Sequence, residues 1–426
     1  MASQSGDRPG LVPFQRFFAV FGYALFCCVL IISLAEGAAR VALPLYRYWK
    51  SPFRHAGPAS ENLMQHRRGA GGLFSSLFSH PWLDATSANP AYEGYIWAEE
   101  FWKEQRARVS LEGSPPPYEP FRIWGTLRSN GKYINVDETA TGNVRRTINV
   151  PPPGCEQPSF KIWFFGGSTA WAYGAPDFAT IQSYLSKRLN AESHRCVEVV
   201  NMGVDGYASN QETIYLFQSL KAGTRPDAVI LYDGYNDSYI GSLDPVDPSA
   251  HWDYPLIKAK FESSIVSWPN LYKRSYLLRT ISSLARSNQP RIAHTPSEKD
   301  WVSRAQATLN NYESNLRLAG LLSRLYGFHA YFFWQPCLIY GSKPVGPFEK
   351  AVQATGEDQR AIPAVYEEAE RRSTASGKFI FLGHVFDQVS EPVYLDSVHL
   401  APRGNEIVAQ AIAERLLPLL QRPVAK

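Results

Sequence analysis

Four short stretches carry side chains that could do nucleophilic chemistry: Gly166-Gly167-Ser168-Thr169, the run NMGVDG at 201–206, Gly234-Tyr235-Asn236-Asp237, and Asp396-Ser397-Val398-His399. A serine hydroxyl is a weak nucleophile at neutral pH and needs a base within hydrogen-bond reach. An imidazole can take the proton and later return it to the leaving group, while a carboxylate beside the ring holds its tautomer. Ser168 is the candidate nucleophile, His399 the candidate base, and Asp396 the candidate carboxylate. The spacing of three residues between Asp396 and His399 lets a turn or early helix fold one side chain beside the other. Taken singly, each stretch is ordinary. GGST and NMGVDG read as tight turns, GYND as a common loop, and one DxxH can arise by chance in a chain with nine histidines.

The elements that must position these residues are legible as periodicity. Short apolar runs at 160–165, 197–200, 228–232, 329–334 and 379–382 read as five strands. Between and after them lie helical patterns: Ile181, Tyr184, Leu185 and Leu189; Thr213, Leu216, Phe217 and Leu220; Leu309, Tyr312, Leu316 and Ala319; and Ile407, Val408, Ala411, Ile412 and Leu416. Strands alternating with helices imply an α/β fold, a parallel sheet with helices on both faces. Ligands bind such sheets at the carboxyl ends of the strands. The first three stretches follow strands one, two and three, and DSVH precedes the last helix. Two long insertions at about 238–299 and 339–360 leave the same edge and are candidates for substrate-shaping caps.

The order and content of the stretches resemble the SGNH (GDSL-like) hydrolase family over about 160–420. NMGVDG, GYND and DSVH match its second, third and fifth blocks. Block one departs, with Gly167 where the family has the Asp of GDS; it is similar to the GGST variant of membrane-anchored bacterial members. The resemblance implies a flavodoxin-like, three-layer α/β/α domain and a serine esterase working through a Ser168 acyl-enzyme. It assigns the oxyanion hole to the Ser168 amide, the Gly206 amide and the Asn236 side chain, with Gly203 as runner-up for Gly206. The implied substrate is an O-acyl ester, such as an O-acetyl ester, on a glycan or small molecule. The same acyl-enzyme resolved by a sugar hydroxyl would make an O-acyltransferase, and the first insertion, with Trp252, Tyr254 and Trp268, offers room for an acceptor. A non-catalytic glycan-binding or assembly partner would not need Ser168, Gly206, Asn236, Asp396 and His399 together. Tyr118, Pro120 and the run 142–147 look like the leader that often precedes such domains.

Trp171 and Tyr173 after the nucleophile, and Trp334 and Gln335 after strand four, are candidate pocket linings; for the aromatics core packing is an equal reading. His384 reads as structural. Lys273, Arg274, Arg279 and Arg286 read as a solvated basic face, with lipid headgroups as the alternative. No HExxH, clustered metal-ligand spacing, P-loop or GxGxxG after a strand is present, so no metal or nucleotide cofactor is implied.

Composition sets the outer limits. A hydrophobic fraction of 45% and a charged fraction of 19% exclude global disorder and a many-span transporter, and a net charge of +4 gives no reason to expect nucleic acid. Against this background, residues 17–35 (FFAVFGYALFCCVLIISLA) are uncharged and apolar all round, long enough for one membrane crossing. A retained signal anchor over 17–39 is the expectation. A cleaved signal peptide is the alternative, since Ser33 and Ala35 are small. Arg8 and Arg16 precede the span while Arg40, Arg47, Lys50 and Arg54 come after it, so charge gives no support to a cytoplasmic N-terminus. Cys155 and Cys196 precede adjacent strands at one sheet edge; a disulfide between them would fit an extracytoplasmic location, and two buried free thiols are the alternative. The expected organisation is a tail at 1–16, the anchor at 17–39, a Pro/Gly-rich leader with some strands at 40–157, and the hydrolase-like domain at 158–421.

Overall fold

The structure, a computed structural model, describes residues 89–111, 116–155, 160–193, 195–243, 247–254, 257–258, 298–354 and 361–421, together with 21, 23, 25–28 and 30–38. The chain divides into two units, 1–64 with 259–295 and 65–258 with 296–426. In the first unit the described residues are helical and leave Phe21, Ile31, Ile32 and Leu34 exposed. The expected span at 17–39 lies partly outside the described residues, among which no helix is long and apolar enough to cross a membrane. Trp268, Lys273, Arg274, Arg279 and Arg286 also lie outside them.

In the second unit the apolar runs become strands because a parallel sheet sandwiched between helices buries both faces of each strand. The elements are α1 (Ala98–Leu111), β1 (Tyr118–Glu119), β2 (Ile123–Trp124), β3 (Ser129–Asn130), β4 (Asn135–Thr139), β5 (Gly142–Arg145), β6 (Phe160–Gly166), α2 (Ser168–Trp171), α3 (Ile181–Glu192), β7 (Val197–Asn201), α4 (Ser209–Lys221), β8 (Ala228–Asp233), α5 (Tyr235–Ser242), α6 (Glu298–Tyr326), β9 (His329–Trp334), α7 (Pro347–Ala354), α8 (Ala361–Ser376), β10 (Ile380–Phe381) and α9 (Pro402–Leu420). The five strands and four helices read from periodicity are all present. Successive side chains of β6 point to opposite faces. Ile162 and Phe164 join Leu185, Leu189, Ile412 and Leu416 in one core layer. Trp163 and Phe165 join Leu216, Leu220 and Phe328 in the other. Truncating one such buried aromatic to Ala costs about 3–5 kcal/mol.

The expected parallel sheet proves to be mixed. Eight strands run in the order β10-β9-β8-β6-β7-β5-β4-β3. Strands β6 to β10 are parallel, whereas β3, β4 and β5 pair antiparallel and come from the stretch read as leader. The junction is narrow: β5 meets β7 through the single pair Arg145 and Asn201. Beyond it the Asn149 side chain imitates a strand, its Oδ1 accepting from the Val199 N–H at 2.9 Å and its Nδ2 donating to the Val199 carbonyl at 3.3 Å. A further apolar cluster joins this N-terminal region to the carboxyl edge of the parallel strands. Tyr92, Phe101, Trp102, Tyr133, Ile134 and Val136 pack with Trp171, Tyr173 and Leu395. At the opposite end of the sheet, Cys155 and Cys196 form a disulfide, with Cα atoms 5.7 Å apart.

Candidate active site

Strand β6 ends in Gly166, and Gly167 caps the one-turn helix α2, whose first residue is Ser168. The short helix brings the hydroxyl to the carboxyl edge of the sheet. His399 approaches from the segment before α9, and its Nε2 lies 2.7 Å from Ser168 Oγ. On the other side of the ring, Nδ1 lies 2.6 Å from Asp396 Oδ2. The second carboxylate oxygen, Oδ1, accepts from the backbone N–H groups of Val398 (2.8 Å) and His399 (2.7 Å). This is the tight turn that the three-residue spacing anticipates, and it clamps the carboxylate against the ring. Ser168 and His399 expose 7% and 9% of their surfaces.

The electrostatics reflect that burial. Desolvation alone would drive the His399 pKa down, but the Asp396 charge, its hydrogen bond and the charge of Asp205 outweigh it, and the net shift is upward. Burial alone would raise Asp396; the His399 charge and hydrogen bonds from its ring and backbone reverse this, so the carboxyl stays below its usual range.

Of the three expected oxyanion donors, the Asn236 side chain is tied to this edge by direct contact. The Asn236 Nδ2 donates to the Tyr207 carbonyl at 2.7 Å, leaving its second amide hydrogen to point elsewhere. It also lies against Gly167: a Cβ built there would come within 2.4 Å of Asn236 Nδ2 and 2.9 Å of the Tyr207 carbonyl oxygen. A side chain at 167 would therefore require Asn236 or the Tyr207 carbonyl to shift. Gly206 takes a positive φ of 73° at the turn after β7, and its backbone N–H lies against the Asp205 carboxylate. The N–H of Gly203, the runner-up for that role, donates to Asn201 Oδ1 at 2.9 Å.

The expected pocket linings divide. Trp171 borders a small cavity of about 30 Å³ together with Arg108, Trp124, Thr126, Leu127 and Asp205. Its ring faces are covered by two guanidinium groups, Arg108 at 4.3 Å and Arg145 at 4.2 Å. Tyr173 is buried with its ring 6.0 Å from that of His399. Gln335 is also buried, its Oε1 accepting from Thr169 Oγ1 at 2.6 Å, and Trp334 packs against Tyr312, Tyr366 and Phe379. Gln335 and Trp334 thus brace the nucleophile's neighbour and the core. His384 sits between Glu370 and Asp387, 2.9 Å from each. A larger recess of about 500 Å³ spans the β5 to β7 junction and holds none of the nucleophile, base or oxyanion residues.

Three residues at this edge were not singled out by sequence reasoning. Asp205 lies inside NMGVDG, where its neighbours drew attention to the glycines; burial pushes its pKa up to about 6 against the opposing charges of His399 and Arg108. Arg145 and Asp177 form a buried pair at 3.1 Å. Arg145 stood within the run 142–147, where the signal was a family-like leader and nothing marked the guanidinium as buried.

No family model matches the chain, and no curated protein matches it. Among solved structures it is similar to the acetyl xylan esterase AlAXEase, at 13% identity and a TM-score of 0.35, covering 60% of this chain and 100% of that one. It is likewise similar to a catalytic mutant of an acetylxylan esterase from Geobacillus stearothermophilus, at 16% identity and a TM-score of 0.34, covering 60% and 94%. A third is a member of the lipolytic protein G-D-S-L family from Veillonella parvula DSM 2008, at 12% identity and a TM-score of 0.33, covering 62% and 100%. Likeness this distant leaves the chemistry to this chain's own side chains.

Proposed function

We propose that the chain is a serine acylhydrolase of the SGNH type that cleaves an O-acyl ester, such as an O-acetyl ester on a glycan or small molecule. One observation carries this: the continuous chain from Ser168 Oγ through His399 to Asp396, with contacts of 2.7 and 2.6 Å. Ser168 Oγ attacks the ester carbonyl as His399 Nε2 takes its proton. The carbonyl oxygen gathers negative charge, met by the Ser168 N–H, the second amide hydrogen of Asn236 and the Gly206 N–H, donors already oriented when the charge forms. The C–O bond to the alcohol breaks, His399 returns the proton to that alcohol, and Ser168 is left acylated. Water then repeats the sequence and frees the acid. Labelling the protein with a fluorophosphonate tests the reading: the wild type takes the label and Ser168→Ala does not. Folded wild type that stays unlabelled overturns it.

A second reading, transfer of the acyl group to a sugar hydroxyl, draws support from the low exposure of Ser168 and His399, which limits water at the acyl-enzyme. Incubating the acylated enzyme with oligosaccharide acceptors separates the two, since hydrolysis releases the free acid and transfer yields acylated sugar.

The location proposed is a single-pass membrane anchor with the catalytic domain on the extracytoplasmic side. It is supported by the uncharged run at 17–35, by the exposed apolar side chains of its described part, and by a disulfide of the kind that persists in oxidising compartments. Retention in the membrane after alkaline extraction, with the domain open to added protease in cells stripped of their outer layers, is the expected result.

A further inference from the structure

We propose that Arg145, on β5, is a positioning residue that holds the turn carrying the nucleophile. The proposal rests on Ser168 being that nucleophile. Helix α2 is a single turn, too short to stabilise itself. Its hydrogen bonds run from the Trp171 N–H to the Gly167 carbonyl and from the Ala172 N–H to the Thr169 carbonyl. It ends at Ala172 in the left-handed region, φ 62° and ψ 61°, a conformation that costs a residue with a Cβ. The carbonyls of Trp171, Ala172 and Ala175 then turn inward, among buried side chains.

One guanidinium answers all three. Arg145 Nη1 donates to the Trp171 carbonyl at 2.9 Å and to the Ala172 carbonyl at 2.8 Å, and Nη2 donates to the Ala175 carbonyl at 2.6 Å. Nε donates to Asp177 Oδ1 at 3.1 Å, and the flat face stacks on Trp171 at 4.2 Å. Arg145 is 1% exposed. Asp177 is fixed in turn from β4: its Oδ2 accepts from the Asn135 N–H at 3.0 Å and from Asn135 Nδ2 at 2.8 Å.

The consequence for chemistry is geometric. The turn at 171–175 lies immediately beyond Ser168, and Tyr173 within it lies against the His399 ring. With the carbonyls of 171, 172 and 175 fixed, Ala172 stays left-handed and Ser168 Oγ stays 2.7 Å from His399 Nε2. Lysine cannot replace this, since its ammonium is a single point of donors without the planar fork that serves three carbonyls and a carboxylate together. The region N-terminal to the nucleophile's strand is thereby part of the catalytic apparatus.

The test uses the full chain in detergent, with four forms: wild type, Arg145→Lys, Ala172→Gly, and Arg145→Lys with Ala172→Gly. The readouts are the saturating rate and half-saturating concentration of fluorophosphonate capture, with melting measured in parallel. Arg145→Lys is expected to lower the saturating rate about 10- to 100-fold, with half-saturation changed less than about threefold, as for a displaced reacting group. Glycine adopts the left-handed region freely, so Ala172→Gly should recover about threefold or more in the Arg145→Lys background and little in the wild type. A glycine that merely relieved strain in the fold would raise melting alike in both backgrounds, so the readout is the difference between backgrounds in the saturating rate. Folded Arg145→Lys labelling within about twofold of wild type, or a glycine effect equal in both backgrounds, overturns the proposal. If Arg145→Lys does not fold, Asp177→Asn replaces it: a lowered saturating rate at unchanged half-saturation supports the proposal and an unchanged rate overturns it. Wild type that takes no label fails the Ser168 reading and this one with it, whereas label on wild type and equal label on the variants fails this one alone.

Discussion

Gly167 and Asn236 occupy one another's space: a methyl group added to Gly167 would sit 2.4 Å from the Asn236 side-chain nitrogen. The glycine is thus the condition for having an amide donor beside Ser168. Gly167→Asp should displace Asn236 and lower kcat/KM about 100- to 1000-fold, the loss typical of removing one oxyanion donor. Asn236→Ala should cost a similar factor, and the two changes combined should cost little more than either. Ester hydrolysis by Gly167→Asp within about tenfold of wild type would disconnect the glycine from the oxyanion site.

The base imposes a pH limit. Only neutral His399 can accept the serine proton, and its pKa lies above the ordinary imidazole value because Asp396 and Asp205 favour the charged ring against the opposing effect of burial. The acid limb of kcat/KM should therefore have its midpoint above about 6.5, with activity rising as pH rises through it. Asp396→Asn should move that midpoint down and lower kcat at least about 100-fold by releasing the ring tautomer. A midpoint unmoved by Asp396→Asn would contradict the hydrogen-bonded pair.

Beneath the Asn236 turn lies a stability cost. Glu212 and Asp233 are buried, and their four carboxyl oxygens find no other donor among the described residues, so the two can satisfy each other only by sharing a proton. Burial first pushes both pKa values well above the usual range; the charge and hydrogen bond of Asp233 and the charge of Asp237 add to this at Glu212, while at Asp233 the Asp237 charge adds to it and the Glu212 hydrogen bond opposes it, and Asp237, bonded to Ser209, is pushed up to about 6. For an acid whose folded pKa is raised, the stabilisation is full below the unfolded pKa and is lost as pH climbs toward the folded value. The wild type should lose stability as pH rises above about 4, at up to roughly 1.4 kcal/mol per pH unit for each proton retained by the folded state. Glu212→Gln should flatten that slope, as read from denaturant midpoints at about pH 5 and 8. Parallel slopes for the two proteins would show that the pair does not hold a proton.

The disulfide separates stability from catalysis. Cys155 and Cys196 are 41 residues apart in sequence, and closing such a loop in the unfolded chain is worth about 4 kcal/mol. Replacing both with Ala should lower the unfolding free energy by that order. Esterase activity at room temperature should be unchanged, because the bond ties the starts of β6 and β7 while Ser168 comes after the end of β6. A matched loss of activity in folded protein would argue against that separation.

The sequence made some features plain for physical reasons and hid others. Strands such as β8, buried on both faces, can only be continuous apolar runs, and α3 and α9 must repeat every three to four residues to cover them. The triad was legible because Ser168, Asp396 and His399 fall at the edge where such a sheet places its loops. Strands were expected in the stretch that forms β3 to β5, but their place in the main sheet was not legible, since strands of two to five residues with exposed polar positions leave too short an alternation to assign a partner. Arg145 was hidden for a related reason. An arginine beside a second arginine reads as solvated, and only the chain reversal that brings β5 to β7 shows that Arg146 faces Asp137 near the surface while Arg145 faces inward. Trp171 and Tyr173, read as pocket linings with core packing as the equal reading, are buried against the turn that follows Ser168.

The single-pair junction between β5 and β7, continued by the Asn149 side chain, bears on how the molecule avoids its own kind. A parallel core that stopped at β7 would present a row of unpaired peptide groups to any other extended chain. The segment before β6 occupies that row, partly with backbone and partly with one amide side chain. A fragment trimmed to start at 158 would keep every residue of the triad and still offer a sticky border, so its first failure would be self-association. The solubility of the part that holds Ser168, Asp396 and His399 is thus supplied by the segment that precedes it.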